Sequence, residues 1–243
     1  MKIPTRKIPI DKIGDCLKFD EATHRYFLNG IKIISATKLV SKYKPIFDET
    51  GEILERCAFM AKTSKEEMQA RWNKKRDDAC DFGKKIHAEI ENYIKLKKPV
   101  SGQVAECVKK INEAENVFPE CKLCSPKYAV AGTSDLVRVF GDGQFDILDW
   151  KTNSKFSTPM NNPYRKNMLH PISDLGDSAW ETYSLQLWCY AIMIEEFGHK
   201  LKQSPTIIWL NPKGGVVEFK CLPLRNHALR IMQHHFESRN GIS

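Results

Sequence analysis

The sequence predicts an α/β fold in which helices flank a central mixed β-sheet, on three observations. Residues 134–151 alternate in apolar character about Gly141-Asp142-Gly143, the pattern of a β-hairpin with glycine available for a positive φ. Residues 50–98 and 179–197 carry apolar side chains at helical spacing. Thr206 to Leu210 and Val216 to Cys221 then form a second hairpin pattern about Asn211 to Gly215, before a last helix at about 224–238. A chain of 243 residues that is 42% hydrophobic can bury one core without disulfides, so a single domain is expected, with residues 1–80 as an N-terminal hairpin and helical part and 81–243 as its main body.

The elements follow in order. Residues 24–34 read as a short hairpin with Asn29-Gly30 as its turn, and Ser35-Ala36-Thr37 opens a helix to about Tyr43. Ser64 and Glu67 have the spacing of a capping box. Gly83 to Lys97 makes a helix with Ile86, Ile90, Tyr93 and Ile94 on one face, and a further helix is expected over 102–115. Strands follow at about 120–130, 134–140 and 144–151. Residues 152–177, with Pro159, Pro163 and Pro171, lack periodicity and read as a loop beside the 144–151 strand, either an active-site flap or surface padding.

Composition narrows the function classes. The longest apolar run, Leu187 to Ile194, is too short for a bilayer span, and the N-terminus has no signal-peptide core, so a cytoplasmic protein with no membrane partner is expected. The formal charge of +8, clustered at Lys74-Lys75-Arg76, Lys84-Lys85, Lys95/Lys97/Lys98 and Lys109-Lys110, favours a polyanion as partner, although solvated helix faces account for many of these lysines. The eight cysteines are scattered and read as reduced; Cys121 and Cys124 have metal spacing, but no second pair completes a zinc or iron–sulfur set. No P-loop, Rossmann glycine fingerprint or nucleophile elbow occurs, so ATP-driven unwinding is not encoded.

The chemistry concentrates in Gly132 to Lys151. If the hairpin is symmetric about Asp142, Asp135 lies across from Asp149, and alternation turns Lys151 to the same side. Two carboxylates so close repel each other, and a divalent cation relieves that cost. A lysine beside them can steady an attacking water or the charge developing on a phosphate, which is the chemistry of metal-dependent phosphodiester hydrolysis. Asp146 falls on the opposite face and reads as surface or structural. His87 and Glu91 project from adjacent turns of one helix face, with Gly83 one turn earlier leaving room for close approach.

The D-x(13)-D-W-K pattern of Asp135, Asp149, Trp150 and Lys151 resembles the PD-(D/E)XK nuclease superfamily, in its RecB-like and phage-exonuclease branch. GKKIHAEIE (83–91), SLQLWCY (184–190) and the opening HRYFLNGIKIISATKLVSKY (24–43) resemble further segments of that branch in the expected order, over about residues 24–190. The resemblance implies a restriction-endonuclease-like core and a Mg²⁺- or Mn²⁺-dependent DNA exonuclease of recombination or repair type, releasing 5′-phosphate products. It implies His87, Asp135 and Asp149 as metal ligands, with Glu91 and the Trp150 carbonyl as further candidates, and Lys151 as the catalytic lysine. Glu120 would complete the metal shell or support the lysine, and Gln186 and Tyr190 would stand beside the site. DNA is the implied partner, double- or single-stranded, with a homo-oligomer or a recombination protein as further partners. A structure-specific endonuclease of the same fold and a non-catalytic nucleic-acid-binding subunit are the alternatives.

Overall fold

The computed structural model describes residues 7–46, 51–109, 111, 114–211 and 214–241. Its centre is a mixed sheet. β4 (Asn116–Ser125), β5 (Val130–Val139) and β6 (Gln144–Lys151) form an antiparallel meander, β8 (Thr206–Leu210) runs parallel to β6, and β9 (Val216–Lys220) closes antiparallel on β8. The N-terminal β1 (Leu17–Asp20), β2 (Arg25–Leu28) and β3 (Ile31–Ser35) extend this sheet, because β3 pairs in parallel with Val130 and Ala131 at the start of β5. A two-residue strand, β7 (Lys200–Leu201), pairs with the start of β6. Asn29 and Gly30 both take positive φ in the β2–β3 turn, as the Asn-Gly dipeptide predicts.

Helices cover both faces. α1 (Ala36–Lys42), α5 (Ala179–Glu195) and α6 (Arg225–Asn240) pack on one, where Val137, Phe145 and Ile147 meet Leu185, Leu187 and Ile194. α3 (Lys65–Leu96) and α4 (Gly102–Lys109) pack on the other, where Leu136, Leu148 and Trp150 meet Ile86, Ile90 and Val104. Alternation along β6 therefore sends its odd-numbered side chains toward α5 and its even-numbered ones toward α3. α2 (Glu52–Met60) packs on the start of α3, through Leu54, Ala58 and Met68, in a small core of its own.

Several expected boundaries shift. The helix expected at Gly83 is the second half of one 32-residue helix, α3, which Ser64 caps through the Glu67 amide. Gly83 costs a helix about 1 kcal/mol, too little to break one flanked by strong helix formers. The strand expected at 120–130 is β4, which starts at Asn116 and ends at Ser125. Pro119 is tolerated there because β4 pairs with β5 alone and is an edge strand. The helix expected over 102–115 ends at Lys109; Lys110, and Pro212 and Lys213 of the closing turn, lie outside the described residues.

Residues 152–177 are anchored to the core at several points. Phe156 stacks on Phe219 at 4.1 Å, Met168 and Ile172 are buried, and the Leu169 amide donates to the Tyr43 carbonyl at 2.7 Å. Glu181 binds the segment from α5 by accepting from Arg165 and the Gly176 amide. The segment lacks regular structure because its polar groups bond to caps and side chains, which leaves no periodicity to read. Among the described residues no helix is long and apolar enough to cross a membrane.

Candidate metal centre

The site forms where the sheet forks. β5 and β6 pair from Val139–Phe145 up to Leu136–Leu148, and beyond that point they part: β5 takes β3 as its partner, while β6 continues beside β8. The observed register is symmetric about Asp142, as expected, and one step further sets Asp135 across from Asp149. The fork leaves the Trp150 amide without a strand partner on β5, and the Asp135 carboxylate accepts from it at 2.8 Å. A strand residue's N–H and C=O point to the same edge, so the Trp150 carbonyl also faces the fork, on the side from which His87 approaches.

Glu120 enters from the other side of β5. Pro119 pairs with Leu136 and Cys121 with Ser134, so the same register sets Glu120 across from Asp135. Its own ladder pair is missing, because Glu120 sits in the left-handed region at φ 49°. A non-glycine residue at positive φ is costly inside a strand and persists only where its surroundings impose it. Three carboxylates thus stand in register on three adjacent strands.

His87, Glu120 and Asp135 each offer a ligand atom, all within 4.8 Å of one another, on partly buried side chains. His87 Nδ1 is 3.6 Å from Asp135 Oδ1, reaching it from the α3 face past the end of the ladder. Gly83, one turn before His87, permits this: a Cβ there would come within 3.0 Å of Thr152 Oγ1. Asp149, deeply buried, is drawn to Lys151, whose Nζ lies 2.6 Å from its Oδ2. Asp149 therefore borders the three-residue cluster as the partner of the lysine. Glu91 pairs with Lys95, one turn on, instead of with His87.

The electrostatics follow from crowding. Burial, then the Asp149 charge, pushes the Asp135 carboxyl well above its usual range. Glu120 is raised by burial and then by Glu91. Burial pulls the His87 imidazole below its usual value, which favours the neutral form with a free lone pair. For Lys151 burial opposes the charged form, but Asp149 and then Asp135 outweigh it and hold the ammonium above the ordinary lysine value.

α5 supplies the wall. Gln186 Nε2 donates to the Tyr190 hydroxyl at 2.9 Å, and Tyr190 is packed against Gly132, where a Cβ would meet its ring at 2.4 Å. The Gly132 of the opening motif is thus a contact for α5. Tyr183, absent from the sequence reading, holds its ring 4.7 Å below the Lys151 ammonium. Its spacing, three residues before Gln186 and seven before Tyr190, is the signal that it shares their helix face. Asp146 proves structural and buried rather than surface: it accepts from Arg138 at 2.7 and 2.8 Å and from Gln203 at 2.8 Å. Cys121 and Cys124 are buried in β4, and Cys124 lies 3.5 Å from the Cys16 sulfur, a contact invisible in their spacing.

No family model matches this chain, and neither does any curated protein. Among solved structures it is similar to the crystal structure of SSO0001, at 14% identity over 84% of this chain and 75% of that one, with a TM-score of 0.39.

Proposed function

We propose that the protein is a Mg²⁺- or Mn²⁺-dependent nuclease that hydrolyses phosphodiester bonds in DNA, as an exonuclease of recombination or repair type on a restriction-endonuclease-like core. The observation that carries this reading is the row of Glu120, Asp135 and Asp149 on adjacent strands, with His87 beside Asp135 and Lys151 beside Asp149. Like charges crowded in a partly buried site raise their own free energy, and a bound cation removes that cost. The donor set fits such an ion: carboxylate oxygens suit Mg²⁺ and Mn²⁺, and one neutral imidazole is compatible with Mn²⁺ in particular. His87, Glu120 and Asp135 would hold it, with Asp149 and the Trp150 carbonyl adjoining. Bound there, the cation supplies Lewis-acid polarisation of a phosphate oxygen and acidification of a water.

The protein's own groups do the rest. Lys151, kept cationic by Asp149 and Asp135, stands ready to neutralise charge on the phosphate in the transition state rather than to accept a proton. Tyr183 beneath it restricts the ammonium to one position, since a cation over an aromatic face is favoured by ~0.5–2 kcal/mol. Gln186 donates its amide N–H to Tyr190, which leaves its carbonyl oxygen as an acceptor for water or the lysine.

The test is a gel assay on end-labelled linear, closed circular and single-stranded DNA with Mg²⁺, Mn²⁺ or EDTA, with Lys151→Ala as control. Metal-dependent loss of linear DNA alone, absent in the variant, is the expected result. Cutting of circles would make it an endonuclease. Silence on every DNA and RNA substrate, with metal binding demonstrated, would leave a non-catalytic nucleic-acid-binding subunit.

A further inference from the structure

A groove of about 480 Å³ lies between the β2–β3 hairpin, α1 and the C-terminal end of α6. Its lining carries five cationic side chains, Arg25, Lys32, Lys38, Lys42 and Arg239, and no acidic one. All five are exposed, and none forms an ion pair among the described residues. Asp20, across the hairpin from Arg25, is engaged in its own turn, accepting from the Thr23 hydroxyl at 2.7 Å. The groove's positive field registers on His235 in its wall, which burial, then Lys42 and Arg239, push down to about 4. Five cations converging on one concavity with no ion pair among them repel each other, and a polyanion relieves that repulsion by displacing condensed counterions.

One lining residue reaches from the groove toward the carboxylate row. Tyr26, in its lining, hydrogen-bonds the Thr133 hydroxyl at 2.9 Å. Thr133 and Asp135 are two apart on β5 and so share a face, about 7 Å apart along the strand. Glu120 acts on the same phenol: burial first, and then the Glu120 charge, raise the Tyr26 pKa.

We propose that this groove is a track for the phosphate backbone of a nucleic-acid strand, engaging phosphates away from the bond at the carboxylate row. The inference rests on the nucleic-acid reading of that row and extends it: the substrate is a strand long enough to occupy both. Lysine and arginine contacts of this kind position a backbone without reading bases, so the grip is sequence-tolerant. A concave lining suits a strand better than a flat anionic bilayer.

The triple variant K32Q/K42Q/R239Q alters exposed side chains only, and its thermal melt should match the wild type. Binding of end-labelled long oligonucleotides, single-stranded and duplex, is measured by anisotropy in EDTA over a salt series. The variant is expected to bind about tenfold or more weakly, with a log–log salt slope shallower by about 2–3, one unit or slightly less per lost phosphate contact. An unchanged affinity and slope overturns the proposal, as does a loss confined to vesicles of phosphatidylcholine and phosphatidylserine. The two readings fail separately. Groove-dependent binding without cleavage by the wild type defeats the nuclease reading and leaves the track standing. Cleavage by the wild type with groove-independent binding does the reverse.

Discussion

At the scale of the residue, the decisive feature is that Asp135 is asked to do two things. It satisfies the Trp150 amide and stands between two other carboxylates. Asp135→Asn keeps an oxygen for the amide and removes a charge, so the metal-free protein should melt at a higher temperature than the wild type. The same variant should lose the rise in melting temperature that Mn²⁺ gives the wild type, a rise worth about 2.7 kcal/mol at a hundredfold excess over Kd. Differential scanning fluorimetry with and without Mn²⁺ reads both effects. Asp146 differs from its neighbours in being fully paired and buried. Asp146→Ala takes the buried carboxylate away from the Arg138 guanidinium, and should cost about 3–5 kcal/mol in urea unfolding.

At the scale of the element, β5 and α5 meet through the absence of a side chain. Gly132→Ala drives a methyl group into the Tyr190 ring, breaking the bond from Gln186 or displacing the helix. A loss of about 1–3 kcal/mol is expected from the overpacking, together with weakened cleavage, because Gln186 and Tyr183 move with α5. Tyr190→Phe, which keeps the ring and loses one hydrogen bond, should cost about 0.5–1.5 kcal/mol. The β5–β6 hairpin was legible because its signals are local: alternation, a Gly-Asp-Gly turn and mirror symmetry put Asp135 opposite Asp149 before any fold was known. Glu120 was misplaced at the head of its strand because Pro119 hides β4, and its facing Asp135 depends on where a four-residue turn begins. β1 and β7, of four and two residues, are too short to carry a period. The pairings of Lys151 with Tyr183 and Glu91 with Lys95 depend on rotamers, which no sequence pattern encodes.

At the scale of the whole molecule, the layers are pinned at their margins by polar contacts as well as by the core. Glu196, at the end of α5, accepts from Ser125 at the end of β4 at 2.8 and 2.9 Å. Burial raises its carboxyl to about 7, against the opposing pull of Ser125 and Lys127. A carboxyl with a raised folded-state pKa stabilises fully below the unfolded value of about 4.5, and that contribution fades as pH rises through about 7. Glu196→Gln should therefore be nearly silent below pH 4.5 and should stabilise by about 1–2 kcal/mol above pH 7, as partial solvation trims the effect. Denaturant unfolding on either side of that window checks the sign. The same scale joins the site to the basic groove, since the β2–β3 hairpin that lines the groove docks on β5 at Val130 and Ala131, upstream of the fork.

The meander itself has a kinetic consequence. Glu120, Asp135, Asp149 and Lys151 all fall within β4–β5–β6, whose strands follow one another in sequence and close by short turns. Pairings of such low contact order assemble faster than those that bring in α3 and α5 from outside, because less loop entropy is lost in closing them. The earliest unit to form is then the one that gathers three negative charges, while His87 arrives only when α3 docks. Carboxylate repulsion is expected to act as a brake on the folding limb, and a divalent cation in the refolding buffer to release it, speeding folding more than it slows unfolding.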